Sequence, residues 1–131
     1  TFGGRNQRAQ LIHDAGGAYV LADDGSPSSL VYQPFEKVYA QGADAEVWLG
    51  TLAGQADRDA LVAANALHGW FGATRSGRVH AWDRGYTGAW ASPYQDQGMA
   101  QPHVQLAEAI AALHPHLLPH PPAPRFLRQL P

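Results

Sequence analysis

The stretch Leu30-Val31-Tyr32-Gln33-Pro34-Phe35-Glu36-Lys37-Val38-Tyr39-Ala40-Gln41-Gly42-Ala43-Asp44-Ala45-Glu46-Val47-Trp48-Leu49-Gly50 decides the fold class, because it reads as a short helix feeding a buried strand. Pro34 suits a first helical position, where its missing N–H would have had no partner. Phe35, Val38 and Tyr39 fall at i, i+3 and i+4 and form an apolar stripe. Gly42 is expected just past the helix end, where a left-handed residue is commonly needed. Ala45–Gly50, built on Val47, Trp48 and Leu49, is a short apolar run bounded by turn residues, which suits a central parallel strand. Glu36 stands in the first helical turn beside the stripe. On the residues alone it is an acid favoured by the helix dipole.

Upstream, Gly3-Gly4-Arg5-Asn6 leads into an amphipathic helix over Gln7–Ala15, closed by Gly16-Gly17. Ala18–Leu21 reads as a short strand, and Ala22–Ser29 as a polar loop. Downstream, Leu61, Ala64, Leu67 and Phe71 predict one long helix over Asp57–Thr74, capped at Asp57 and followed by Gly77. Trp48 and Trp70 fall within apolar patterns and are expected in the core. Arg78–Trp82 alternates as a strand, and Asp83–Gln101 reads as a long loop of the kind that is usually functional. Pro102 opens a last helix carrying Leu106, Ile110 and Leu113 on one face. Residues 114–131 read as a proline-rich surface tail. Alternating helices and short strands predict a single α/β domain over residues 1–131, with a mainly parallel central sheet flanked by helices in a three-layer Rossmann-like arrangement. Ligands of such sheets sit outside the carboxyl ends of the strands, where the aromatic loop after Trp82 begins.

At 131 residues the chain is one domain with room for a core, 45% hydrophobic and 15% charged. A net charge of −2 supplies no basic stripe for phosphates, which argues against a nucleic-acid partner. Without cysteine, neither a disulfide framework nor a thiolate zinc site forms. No Gly-x-Ser-x-Gly elbow, His-Glu-x-x-His pair or phosphate-binding glycine loop is present, so no enzyme activity is expected. His114, His116 and His120 lie close together, but the prolines at 115, 119, 121 and 122 spread them, and no acid or Cys completes a metal shell. His80 lies on an alternating strand, where packing or solvent accounts for it. The opening residues read as a loop rather than a natural start, so a piece of a longer chain is expected.

Taken in order, the Gly-Gly-Arg loop, Asp14-Ala15-Gly16-Gly17, Phe35-Glu36, Ala43-Asp44-Ala45-Glu46-Val47-Trp48, Gly77-Arg78-Val79, Pro102-His103-Val104-Gln105-Leu106 and the closing Leu113-His114-Pro115-His116-Leu117-Leu118-Pro119 resemble one family. It is the C-terminal lobe of the cobalamin and iron-siderophore class of ABC-transporter substrate-binding proteins, and the likeness runs over nearly the whole chain. The resemblance implies a bilobed importer component, periplasmic or membrane-anchored outside the cell, that holds a metal chelate in the cleft between its lobes. The chelate, a ferric siderophore, heme or cobalamin, is cargo; no intrinsic cofactor is expected. The implied partners are the ABC permease and an N-terminal lobe, which lies outside this sequence together with the linking helix and the first strand of the lobe. A sheet edge freed in this way is expected to pair with a second copy.

The resemblance also gives Glu36 a role, a salt bridge to an arginine of the permease. An exposed carboxylate fixed at a helix start meets a guanidinium well. Trp82, Tyr86 and Trp90, with Arg84 among them, are the residues expected in the cleft. Flat rings suit a corrin, porphyrin or catecholate, and Arg84 suits an anionic chelate. Arg5 and Asn6 follow Gly3-Gly4 where the family's first C-lobe loop faces the cleft, although Asn6 equally suits a helix N-cap. A freestanding flavodoxin-like small-ligand or enzyme domain, and an interaction domain using the proline-rich tail, are the competing classes.

Overall fold

The computed structural model describes residues 1–50, 54–88 and 93–131. Its N-terminal loop is laid directly on the backbone of residues 22–28. A Cβ at Gly3 or Gly4 would collide with the carbonyl oxygens of Ser26 and Ala22, so only glycine allows this approach. Helix α1 (Gln7–Asp14) starts at Asn6, whose Oδ1 accepts the Arg8 N–H at 2.9 Å while its Nδ2 donates to Pro27 O at 3.1 Å. The helix buries Ala9 and Ile12 and ends at Ala15 and Gly16. Helix α2 (Phe35–Gly42) follows Pro34, which occupies the N-cap. The expected stripe is present as an aromatic cluster, in which the Phe35 and Tyr39 rings stack at 5.7 Å and both meet Phe71 edge-on.

Strand β1 (Trp48–Leu49) leads to α3 (Arg58–Ala64), capped by Asp57 on the Ala60 N–H at 2.7 Å. A 3₁₀ turn over Ala66–Trp70 and the short α4 (Gly72–Ser76) precede β2 (Val79–Ala81). Then come α5 (Pro93–Asp96), a 3₁₀ turn over Gly98–Ala100, α6 (Pro102–Leu113) and β3 (Arg128–Gln129). Strand β2 is central. It pairs in parallel with β1, Trp48 opposite Val79, and antiparallel with β3, Ala81 opposite Arg128. The core is built on one face of β2: Val79 and Ala81, both fully buried, meet Leu61 of α3, Ala73 of α4 and Leu130, with Trp48 against them. Arg78 leaves the opposite face and donates to the last carbonyls of α6, Ala112 and Leu113, at 3.2 and 3.1 Å.

The chain is therefore mixed α/β with a small three-stranded mixed sheet. The sheet is not mainly parallel, because the C-terminal segment supplies an antiparallel partner for β2. That segment also corrects the surface tail. Residues 115–117 and 119–125 are exposed, but Phe126, Leu127 and Leu130 are among the most buried side chains. The expected long helix stops at Asn65, whose extended backbone and side chain start a new turn by accepting the Leu67 N–H at 3.0 Å. Ala18–Leu21 forms no ladder: its carbonyls take turn bonds from Ala22 and Asp24 instead. Gly42 ends α2 from inside, helical and buried, with Phe71 and Val20 at ordinary contact distance, 3.6 Å, from where a Cβ would stand. By contrast, Gly77 does take the left-handed conformation past α4, at φ 77°. Trp48 is half-buried against the core, whereas Trp70 is 52% exposed, lying edge-on to Phe35 and Tyr39 at the end of its turn.

Candidate functional site

The parallel strands β1 and β2 end on the same side of the molecule, and β3, running the other way, begins there. A cavity of about 460 Å³ opens at that place, walled by Gly54–Ala56 after β1, Asp83–Tyr86 after β2, and Arg128 of β3. Its floor is an ion pair. The guanidinium of Arg128 meets both oxygens of Asp83, Nε to Oδ1 at 3.0 Å and Nη2 to Oδ2 at 2.8 Å, in the forked geometry that suits a carboxylate. The same side chain donates to the carbonyls of Ala56 (3.0 Å) and Gln55 (2.7 Å), and Asp83 Oδ2 also accepts the Gly54 N–H at 2.9 Å. Burial of Asp83 pushes its pKa up, but the bonds from Arg128 and Gly54 and the Arg128 charge outweigh this and hold it below the usual carboxylate range. Asp83 is thus a structural anion rather than a proton donor.

Of the residues expected in the cleft, Arg84 and Tyr86 line this cavity. Arg84 is exposed, and its backbone N–H is fixed on Phe126 O at 3.1 Å. Tyr86 is half-buried, with its N–H on Asp83 O at 2.9 Å. Their neighbour Trp82 is half-buried against the ring of buried Tyr94, with centroids 4.9 Å apart, and Arg8 covers Tyr94 at 5.6 Å. Trp90 lies outside the described residues. Arg5 and Asn6 do not line the cavity. Arg5 Nε donates to Gly25 O, and Asn6 is the buried N-cap of α1, so both fasten the N-terminal loop. A second depression of about 380 Å³ lies between α1 and the start of α6, walled by Leu11, Tyr94, Met99 and Leu106 among others.

Glu36 is exposed in the first turn of α2 and has no ion pair among the described residues, whereas its neighbour Lys37 lies 3.6 Å from Asp23. On the same helix Phe35 and Tyr39 stack and meet exposed Trp70 edge-on. The expected extended spreading of the histidines is not seen for the first two: residues 115–117 form a turn, closed by the Leu117 N–H on His114 O at 3.0 Å, which brings the rings edge-on. His114 and His116 rings are 6.1 Å apart, and His114 Nε2 meets Gly16 O at 3.2 Å. No group of three metal-ligating side chains occurs among the described residues, and no helix there is long and apolar enough to cross a membrane.

Three residues that shape the site escape a reading of the sequence. Asp83 is a carboxylate directly after an alternating strand, and Arg128 sits in Phe126-Leu127-Arg128-Gln129-Leu130, a run too short and too close to the prolines to register as a strand. Glu108 is the lone acid in the otherwise apolar middle of α6. It is 4% exposed and accepts the N–H groups of Arg125, Phe126 and Leu127, the last at 2.7 Å, which seats the C-terminal segment. Comparison with protein-family models, with curated proteins and with solved structures returns no match for this chain.

Proposed function

We propose that this chain is the C-terminal lobe of a substrate-binding protein that delivers a metal chelate to an ABC importer, and that it binds rather than catalyses. The observation that carries the reading is the cavity at the carboxyl ends of two parallel strands, where an exposed guanidinium and an aromatic ring stand together. Ligands of open α/β sheets collect at that place. Asp83 neutralises Arg128, which leaves Arg84 as the cation directed to cargo. The preferred ligand therefore carries anionic oxygens beside an apolar or aromatic surface, as heme, cobalamin or a catecholate ferric siderophore does. An N-terminal lobe supplies the other half of the ligand shell, and the lobe completes a three-layer Rossmann-like sheet with a strand against the edge of β1 that is unpaired among the described residues. In its absence that edge takes a strand from a second copy. Glu36, exposed and unpaired among the described residues, docks on an arginine of the permease. The protein works outside the cytoplasmic membrane.

Titration with hemin, cyanocobalamin and ferrioxamine B, followed by tryptophan fluorescence corrected for absorbance, tests the binding. In the full-length parent, with both lobes present, one of the three is expected to quench saturably, and quenching by none refutes the reading. In the full-length parent, Glu36→Lys is expected to leave chelate affinity unchanged and abolish uptake; normal uptake removes Glu36 from the interface.

A further inference from the structure

We infer that Arg128 is a positioning residue for the cavity, and that through it occupancy of the cavity is coupled to docking of the C-terminal strand. One guanidinium on β3 holds partners that lie 45 residues away at Asp83 and 72 and 73 residues away at Ala56 and Gln55. It thereby joins the loop after β1 to the loop after β2, the two walls of the cavity. A lysine offers point donors and no planar fork, so it satisfies only part of this set. A second tie runs the same way, from the Arg84 N–H to Phe126 O at 3.1 Å. The strand that carries Arg128 is in turn seated from outside the cavity by Glu108 of α6, whose carboxylate holds the Phe126 and Leu127 N–H groups. Apart from the single direct bond from the Gly54 N–H to Asp83, these ties between the walls run through residues 125–130 and depend on their docking. Coupling of this kind is reciprocal, so a ligand that fixes the walls also holds the strand down.

The binding arm of the test rests on the chelate reading above; the exchange arm does not. The probe is backbone hydrogen exchange of the full chain, read at Gly54 and Leu127. The Gly54 N–H bonds to Asp83 and not to Arg128, so it reports positioning and not the lost contact itself. Arg128→Lys is expected to speed Gly54 exchange by about tenfold or more, and to weaken binding of whichever of hemin, cyanocobalamin or ferrioxamine B binds by a similar factor. Glu108→Gln turns one carboxylate oxygen into a donor facing N–H groups without touching the cavity. It is expected to speed exchange at Leu127 and, through Arg128, at Gly54 as well. Saturating chelate should slow Leu127 exchange in the unaltered chain. Unchanged Gly54 exchange in Glu108→Gln, with Leu127 accelerated, overturns the coupling even if Arg128→Lys fails to fold. A bound chelate that leaves Leu127 exchange untouched overturns it too. Binding of no chelate refutes the importer reading alone, and Gly54 exchange in the two variants then decides the coupling by itself.

Discussion

Acidification should destabilise this fold through one histidine. His80 is the middle residue of the central strand, opposite Leu49 on one side and Gln129 on the other, and only 8% of it is exposed. Burial, and secondarily the charge of Arg78 two residues earlier on the same face, lower its pKa from 6.5 to about 4. The folded chain therefore keeps His80 neutral where the unfolded chain has already protonated it. Between those two values the unfolded state binds more protons, so stability is full above 6.5 and falls as pH drops towards 4. The difference of about 2.5 pKa units corresponds to about 3 kcal/mol at the acid end, and about 2 kcal/mol is already lost by about pH 5. Against a domain stability of about 5–15 kcal/mol this is a large fraction. Urea unfolding followed by tryptophan fluorescence at several pH values measures it as a falling midpoint at constant slope. The His80→Gln chain should lose this pH dependence across the same window. A midpoint independent of pH between neutrality and about pH 5, or a slope that survives in His80→Gln, would refute the reasoning.

Other perturbations separate the parts of the fold. Glu108→Ala strips the acceptor from the buried Phe126 and Leu127 N–H groups and should cost about 3–5 kcal/mol, read as a lower urea midpoint together with faster exchange confined at first to residues 125–130. Gly4→Ala drives a methyl group into the Ala22 carbonyl and should cost about 1–3 kcal/mol, with a matching loss in thermal midpoint. Arg84→Glu reverses an exposed charge at the cavity and should leave the thermal midpoint within about a degree or two, while weakening binding of an anionic chelate by about tenfold or more in a fluorescence titration.

Local signals in the sequence located the elements whose cause is local. The Asn6 cap and Gly16 bound α1, the Asp57 cap starts α3, Pro102 opens α6, and the apolar runs around Trp48 and Val79 mark the parallel pair. Elements with long-range causes were not legible. Arg128 and Gln129 count as a strand because they pair with β2 while Glu108 holds the backbone N–H groups just before them, a fact that composition dominated by the preceding prolines conceals. Ala18–Leu21 has the side chains of a strand and no neighbour to pair with among the described residues, so propensity loses to hydrogen bonding. Helix periodicity across 57–74 hid Asn65, where a side chain competes successfully with the helix for a backbone N–H. For the site, Arg84 and Tyr86 were legible because a loop after a parallel strand is where ligands bind. Asp83 and Arg128 were not, because an ion pair between positions 45 residues apart leaves no local trace.

The claim at the centre is that the cavity between residues 54–56 and 84–86 receives a metal chelate. Amide spectra of the labelled chain during titration with hemin and with ferrioxamine B test it at the residues themselves, since the ferric ion broadens the resonances nearest to it. Broadening that begins at Gly54, Gly85 and Tyr86, and that for hemin, with its anionic propionates, weakens in Arg84→Glu, is the expected result. Spectra unchanged by either chelate, or broadening centred away from the ends of β1 and β2, would contradict it.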